Sequence, residues 1–82
     1  MEIPLSPFMQ RALDLAQEAA LAGEVPVGAV IVRNGVEIAA CANAMRALKD
    51  PTAHAEMEAI RAAARAIGNE RLDDCDLWVT LE

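Results

Sequence analysis

The chain has 82 residues, enough for one domain with a modest core. Hydrophobic residues make up 55% and charged residues 24%, which excludes a disordered chain, although much of the apolar share is alanine and only Phe8 and Trp78 are aromatic. The net charge of -6 argues against a strong phosphate-binding surface on these residues alone, and no apolar run approaches the roughly 18 residues needed to span a bilayer.

Ser6-Pro7 opens the first predicted helix, with Ser6 as cap and Pro7 at the first helical position, where a missing N–H costs nothing. Phe8, Ala12, Leu15, Ala16 and Ala19 recur at helical spacing, and Gly23 is a natural stop. Glu24 to Val27 is extended, because Pro26 restricts Val25 away from helix. Gly28–Val32 and Val36–Cys41 read as strands, and Asn34-Gly35 between them is the strongest short hairpin signal, a type I′ turn. Residues 43–49 are polar and irregular, a predicted loop.

Asp50 or Thr52 is expected to cap a second helix with Pro51 in its first turn. Ala53, Met57, Ile60, Ala64 and Ile67 form its predicted buried stripe, and Gly68 ends it. Leu77–Leu81 reads as a third strand, apolar on both faces as a central strand would be. The order α-β-β-α-β implies an α/β fold: a three-layer α/β/α arrangement with a mixed sheet, the final crossover giving a parallel strand pair. Cys41 and Cys75 lie far apart and make no metal-type pair; as stray thiols with no visible signal peptide they fit a reducing cytoplasm.

One cluster carries chemistry. His54 and Glu56 stand two residues apart at a predicted helix start. Inside a helix such residues face different sides, so they share a site only at the first turn, where the preceding loop meets the same corner. The positive end of a helix suits a neutral imidazole and an ionised carboxylate. Catalytic zinc takes three protein ligands and a water; His54 supplies one, and neither cysteine has an obvious claim to be another. Taken alone, His-x-Glu is a weak pattern. A lone histidine there is more often a cap, Glu56 an ordinary first-turn carboxylate, Asn43 a turn residue, Met57 core, and the cysteines small apolar residues.

Four segments together are far more specific: Glu24-Val25-Pro26-Val27-Gly28-Ala29-Val30-Ile31-Val32, Asn43, Asp50-Pro51-Thr52-Ala53-His54-Ala55-Glu56 and Leu77-Trp78-Val79-Thr80-Leu81-Glu82. In their order and spacing the chain resembles the cytidine and deoxycytidylate deaminase superfamily, within it the bacterial tRNA-specific adenosine deaminases. The resemblance implies a Zn2+ cofactor with His54 as a ligand, Glu56 as the proton shuttle, Asn43 on a flipped nucleoside, and Val27, Gly28 and Ala29 as pocket wall. It implies hydrolytic deamination of adenosine to inosine at the wobble base of a tRNA anticodon loop, by a cytoplasmic homodimer. In that family a Pro-Cys-x-x-Cys follows the third strand and supplies two ligands. Residues 1–82 stop short of it and are expected to be the N-terminal part of a single deaminase domain, inactive alone. Two other readings stand beside this one: a deaminase of free bases or nucleosides such as guanine or cytosine, and a non-catalytic α/β module that pairs with a partner chain.

Overall fold

In a computed structural model the described residues are 6–50, 52, 54–68 and 72–80. They run α1 (Pro7–Leu21), β1 (Gly28–Arg33), β2 (Val36–Ala42), α2 (Met45–Leu48), α3 (Ala55–Ile67) and β3 (Cys75–Val79). Helix α1 begins as expected: Ser6 Oγ accepts the Phe8 N–H at 3.2 Å, and Pro7 occupies the first turn. The hairpin is also as expected, with φ of 52° at Asn34 and 80° at Gly35, the two positive values that a type I′ turn requires.

The sheet order is β2-β1-β3. Strand β1 takes the centre because it alone is apolar on both faces: Gly28 to Val32 are all buried. Its alternation divides the core. Ala29 and Ile31 pack towards α3 with Ala39, Ala55, Ala59 and Ala63, whereas Val30 and Val32 pack towards α1 with Ala12 and Leu15. This gives the expected three layers, helix on sheet on helix. Val30 and Ile31 are the largest fully buried side chains, each contributing about 1.5–3 kcal/mol by burial. Phe8 and Trp78, with ring centroids 6.1 Å apart, tie α1 to β3.

Five expectations need correction. The sheet is not mixed over these strands: β1 pairs antiparallel with both β2 and β3. The crossover through α3 does leave β2 and β3 running the same way, but β1 lies between them, since the most apolar strand claims the middle. Strand β3 is accordingly not central among the described strands; Leu77 is 46% exposed. It spans Cys75–Val79 rather than Leu77–Leu81, and residues 81 and 82 lie outside the described set.

The predicted loop at 43–49 contains one helical turn, α2, closed by Leu48 N–H to Ala44 C=O and Asp50 N–H to Met45 C=O, both 3.0 Å. The stripe of α3 is rotated. Ala55, Ala59 and Ala63 are the buried face, while Met57 and Ile60 are 40% and 37% exposed; Ala53 lies outside the described residues. Three fully buried alanines four residues apart put the small-residue face of the helix against Ala29 and Ala39. Met57 is therefore not core.

Candidate active site

Helix α3 begins at Ala55, with His54 at the N-cap position rather than Asp50 or Thr52. Asp50 instead closes the turn before it: its Oδ1 accepts the Thr52 N–H at 2.9 Å and the Thr52 hydroxyl at 2.7 Å. These bonds, backbone first, hold the Asp50 carboxyl below its ordinary range, with Arg61 adding to the effect. Arg61 also reaches Glu58 at 3.2 Å and Thr52 Oγ1 at 3.5 Å, so one side chain links the first turn of α3 to the loop ahead of it.

His54 is exposed and makes no side-chain capping bond. The first turn is capped by a residue elsewhere in the chain: Asn43 Oδ1 accepts the Ala55 N–H at 3.1 Å. Asn43 is 4% exposed, and its own N–H donates to Val27 C=O at 3.0 Å. The imidazole is thus left unengaged by the helix it starts, and Glu56 follows half-buried in the first turn with Glu58, where the helix end favours negative charge.

Of the expected pocket wall, Val27 and Ala29 belong to the core cluster that includes Ala55, so they share the side of the sheet with α3. Gly28 faces the other way. A Cβ there would lie 2.0 Å from Ala12 O and 2.8 Å from Ala16 N, so its missing side chain admits the backbone of α1 rather than a base. Its backbone is also taken: Thr80 Oγ1 accepts the Gly28 N–H at 2.9 Å and Thr80 N–H donates to Gly28 C=O at 3.0 Å. Thr80 is therefore a structural anchor at the end of β3, a role its place in the strand motif did not show.

Among the described residues no group of three His, Cys, Asp or Glu could hold a metal ion. Catalytic zinc needs three protein ligands, so these residues fit part of such a centre and no reaction step is derived through it. Cys41 pairs with Ala29 and Cys75 with Arg33, at opposite ends of the central strand. Burial, and then the Glu58 carboxylate, push the Cys41 thiol up, with Arg65 opposing. An apolar groove between α3 and β3, lined by Ile31, Ile60, Leu72, Cys75, Asp76 and Leu77, includes none of the candidate residues.

The described residues form a three-layer α/β unit in which a buried asparagine just past β2 meets the first N–H of the helix that follows His54. The chain belongs to the family described as the cytidine and deoxycytidylate deaminase zinc-binding region, which matches residues 4–82. It is similar to the tRNA-specific adenosine deaminase of Aquifex aeolicus, with 51% identity over 92% of this chain and 50% of that protein. A solved structure from a study of A-to-I editing by tRNA:A34 deaminases superposes with a TM-score of 0.88 at 52% identity, over 92% of this chain and 58% of that one. The solved guanine deaminase of Bacillus subtilis gives 0.89 at 44% identity, over 98% and 52%. The chain spans about half the length of the curated relatives it matches. No helix among the described residues is long and apolar enough to cross a membrane.

Proposed function

We propose that residues 1–82 are the N-terminal part of a zinc-dependent deaminase domain that converts adenosine to inosine at the wobble position of tRNA. The bond from Ala55 N–H to Asn43 Oδ1 carries this reading, because it places a buried carboxamide beside the His54–Glu56 corner. An N-cap Ser or Asp accepts the second or third N–H of its helix, so the buried asparagine, from twelve residues away, meets the first N–H, which a local cap does not reach. The similarity to tRNA-specific adenosine deaminases at about half identity supports the substrate.

In this reading His54 is the ligand that the chain contributes to zinc, free to bind because its side chain makes no capping bond. Glu56 carries a proton from the attacking water to the leaving amino group, so that water and adenosine become inosine and ammonia. Asn43, with Oδ1 fixed, is oriented to meet the base, and Val27 and Ala29 form the wall beside it. Gly28 serves the fold rather than the base. The other ligands come from a Pro-Cys-x-x-Cys segment beyond these residues, and the enzyme works as a cytoplasmic homodimer on the anticodon loop.

Inosine formation in an anticodon stem-loop, assayed beside ammonia release from free guanine and cytosine, tests the proposal in the protein that carries a complete zinc centre. Inosine lost on Glu56→Gln is the expected result. Turnover of a free base alone would overturn the tRNA assignment, and a stable zinc-free complex with another protein would overturn the enzyme reading.

A further inference from the structure

The segment that carries Asn43 is held from the far side by a carboxylate. Glu24, in the connection between α1 and β1, is 8% exposed. Its Oε1 accepts the Ala47 N–H, in α2, at 2.7 Å across 23 residues of sequence. Three residues after Glu24, Val27 C=O accepts the Asn43 N–H. One short connection therefore presents two acceptors to one loop, at Asn43 and at Ala47. The bonds within α2 fix its shape but not its place, whereas the Glu24 bond fixes its place. Burying a carboxylate costs free energy unless its oxygens are used, and a bond to an ionised acceptor is shorter and stronger than a neutral one.

We propose that Glu24 is a positioning residue for the candidate active site. Through Ala47 it sets where residues 43–50 lie, so that Asn43 Oδ1 meets Ala55 N–H and His54 and Glu56 flank that bond. What the corner does chemically rests on the deaminase reading; the linkage itself is structural and can be tested without turnover.

Amide exchange and side-chain NMR of the protein that contains this chain compare Glu24→Ala and Glu24→Gln with the unaltered protein. Glu24→Gln keeps an oxygen acceptor at the same reach. In Glu24→Ala, exchange at Ala47 and at Ala55 accelerates about tenfold, the effect of losing one net hydrogen bond. The Asn43 carboxamide and His54 ring resonances shift, exchange at Val30 and Ile31 stays within about threefold, and Glu24→Gln restores most of each change. Loss of protection at Ala47 with Ala55 and His54 unmoved would overturn the proposal, leaving Glu24 a local staple. Equal loss at Val30 and Ile31 would also overturn it, as a general loss of stability. If Glu24→Ala does not fold, Glu24→Asp keeps the charge and shortens the reach; it must show the same paired change at Ala47 and Ala55, and an unchanged Ala55 sinks the idea. Failure here leaves the deaminase reading standing, and failure of the inosine assay leaves this linkage standing.

Discussion

Asn43 caps α3 through Ala55: the side-chain oxygen of one accepts the backbone N–H of the other at 3.1 Å. The pair joins the end of β2 to the start of α3, and both residues are buried. The loop between them is thereby pinned at both ends, with His54 next to the bond and exposed.

Removing the acceptor leaves a buried N–H unsatisfied. Asn43→Ala is expected to lower stability by about 1–3 kcal/mol. Asn43→Asp, which keeps an oxygen at the same position, recovers part of it. Urea unfolding of the three proteins measures both effects, and an Asn43→Ala variant as stable as the parent would contradict the capping role.

His54 holds the N-cap position without using it. Ser and Asp are better caps, by about 0.5–2 kcal/mol over a non-capping residue. His54→Ser or His54→Asp is therefore expected to raise the Tm while removing zinc affinity from the protein that binds it. A fall in Tm would show that the imidazole supports the fold, against the role given to it here.

Gly28→Ala forces a Cβ against Ala12 O, and backbone has to move. Overpacking of this kind costs about 1–3 kcal/mol. In a domain of this size each kcal/mol is worth about 4–8 °C in Tm. The comparison is Gly35→Ala, where nothing lies within 4 Å and the cost is the positive φ of 80° alone. A thermal melt that ranks Gly35→Ala as the more damaging would refute the close approach of α1.

The two faces of α3 are expected to respond oppositely. Met57→Lys places charge on an exposed position and changes stability by no more than about 0.5 kcal/mol. Ala59→Leu, on the alanine face with no exposed surface, costs about 1–3 kcal/mol. Chemical unfolding separates the cases; a harmless Ala59→Leu would mean that the helix sits farther from the sheet.

The turn at Asp50 is sensitive to acid. Its bonds to Thr52 hold the carboxyl below the ordinary value of 3.8, so the folded pKa is depressed relative to the unfolded one. Stability from this turn is therefore present above 3.8 and lost as the pH falls through the folded value. Acid titration followed at the Thr52 amide shows the loss, and Asp50→Asn flattens it. Because the carboxylate is exposed, the effect is local and small.

Much of the fold lay open in the sequence because it rests on local rules. Ser6-Pro7 set the start of α1, Asn34-Gly35 the hairpin, Gly68 the end of α3 at φ 77°, and the apolar run at Gly28–Val32 a buried strand. The His54–Glu56 pair and the family it points to were legible in the same way, since they depend on residue identity and spacing, although the start of α3 at Ala55 was not.

The rest was decided by contacts between distant segments. Counting apolar residues at helical spacing chose Met57 and Ile60 for the core, but the face that meets Ala29 and Ala39 is Ala55, Ala59 and Ala63, and that choice is made only once α3 lies on the sheet. No local rule placed β1 between β2 and β3, because strand order follows from which strand can be buried on both faces. Nor could spacing show that Gly28 serves α1, that Thr80 holds Gly28, or that Asn43 meets the first N–H of α3 beside an unengaged His54. Sequence determines what each residue can offer over a few neighbours; only the packed structure decides which distant group accepts it.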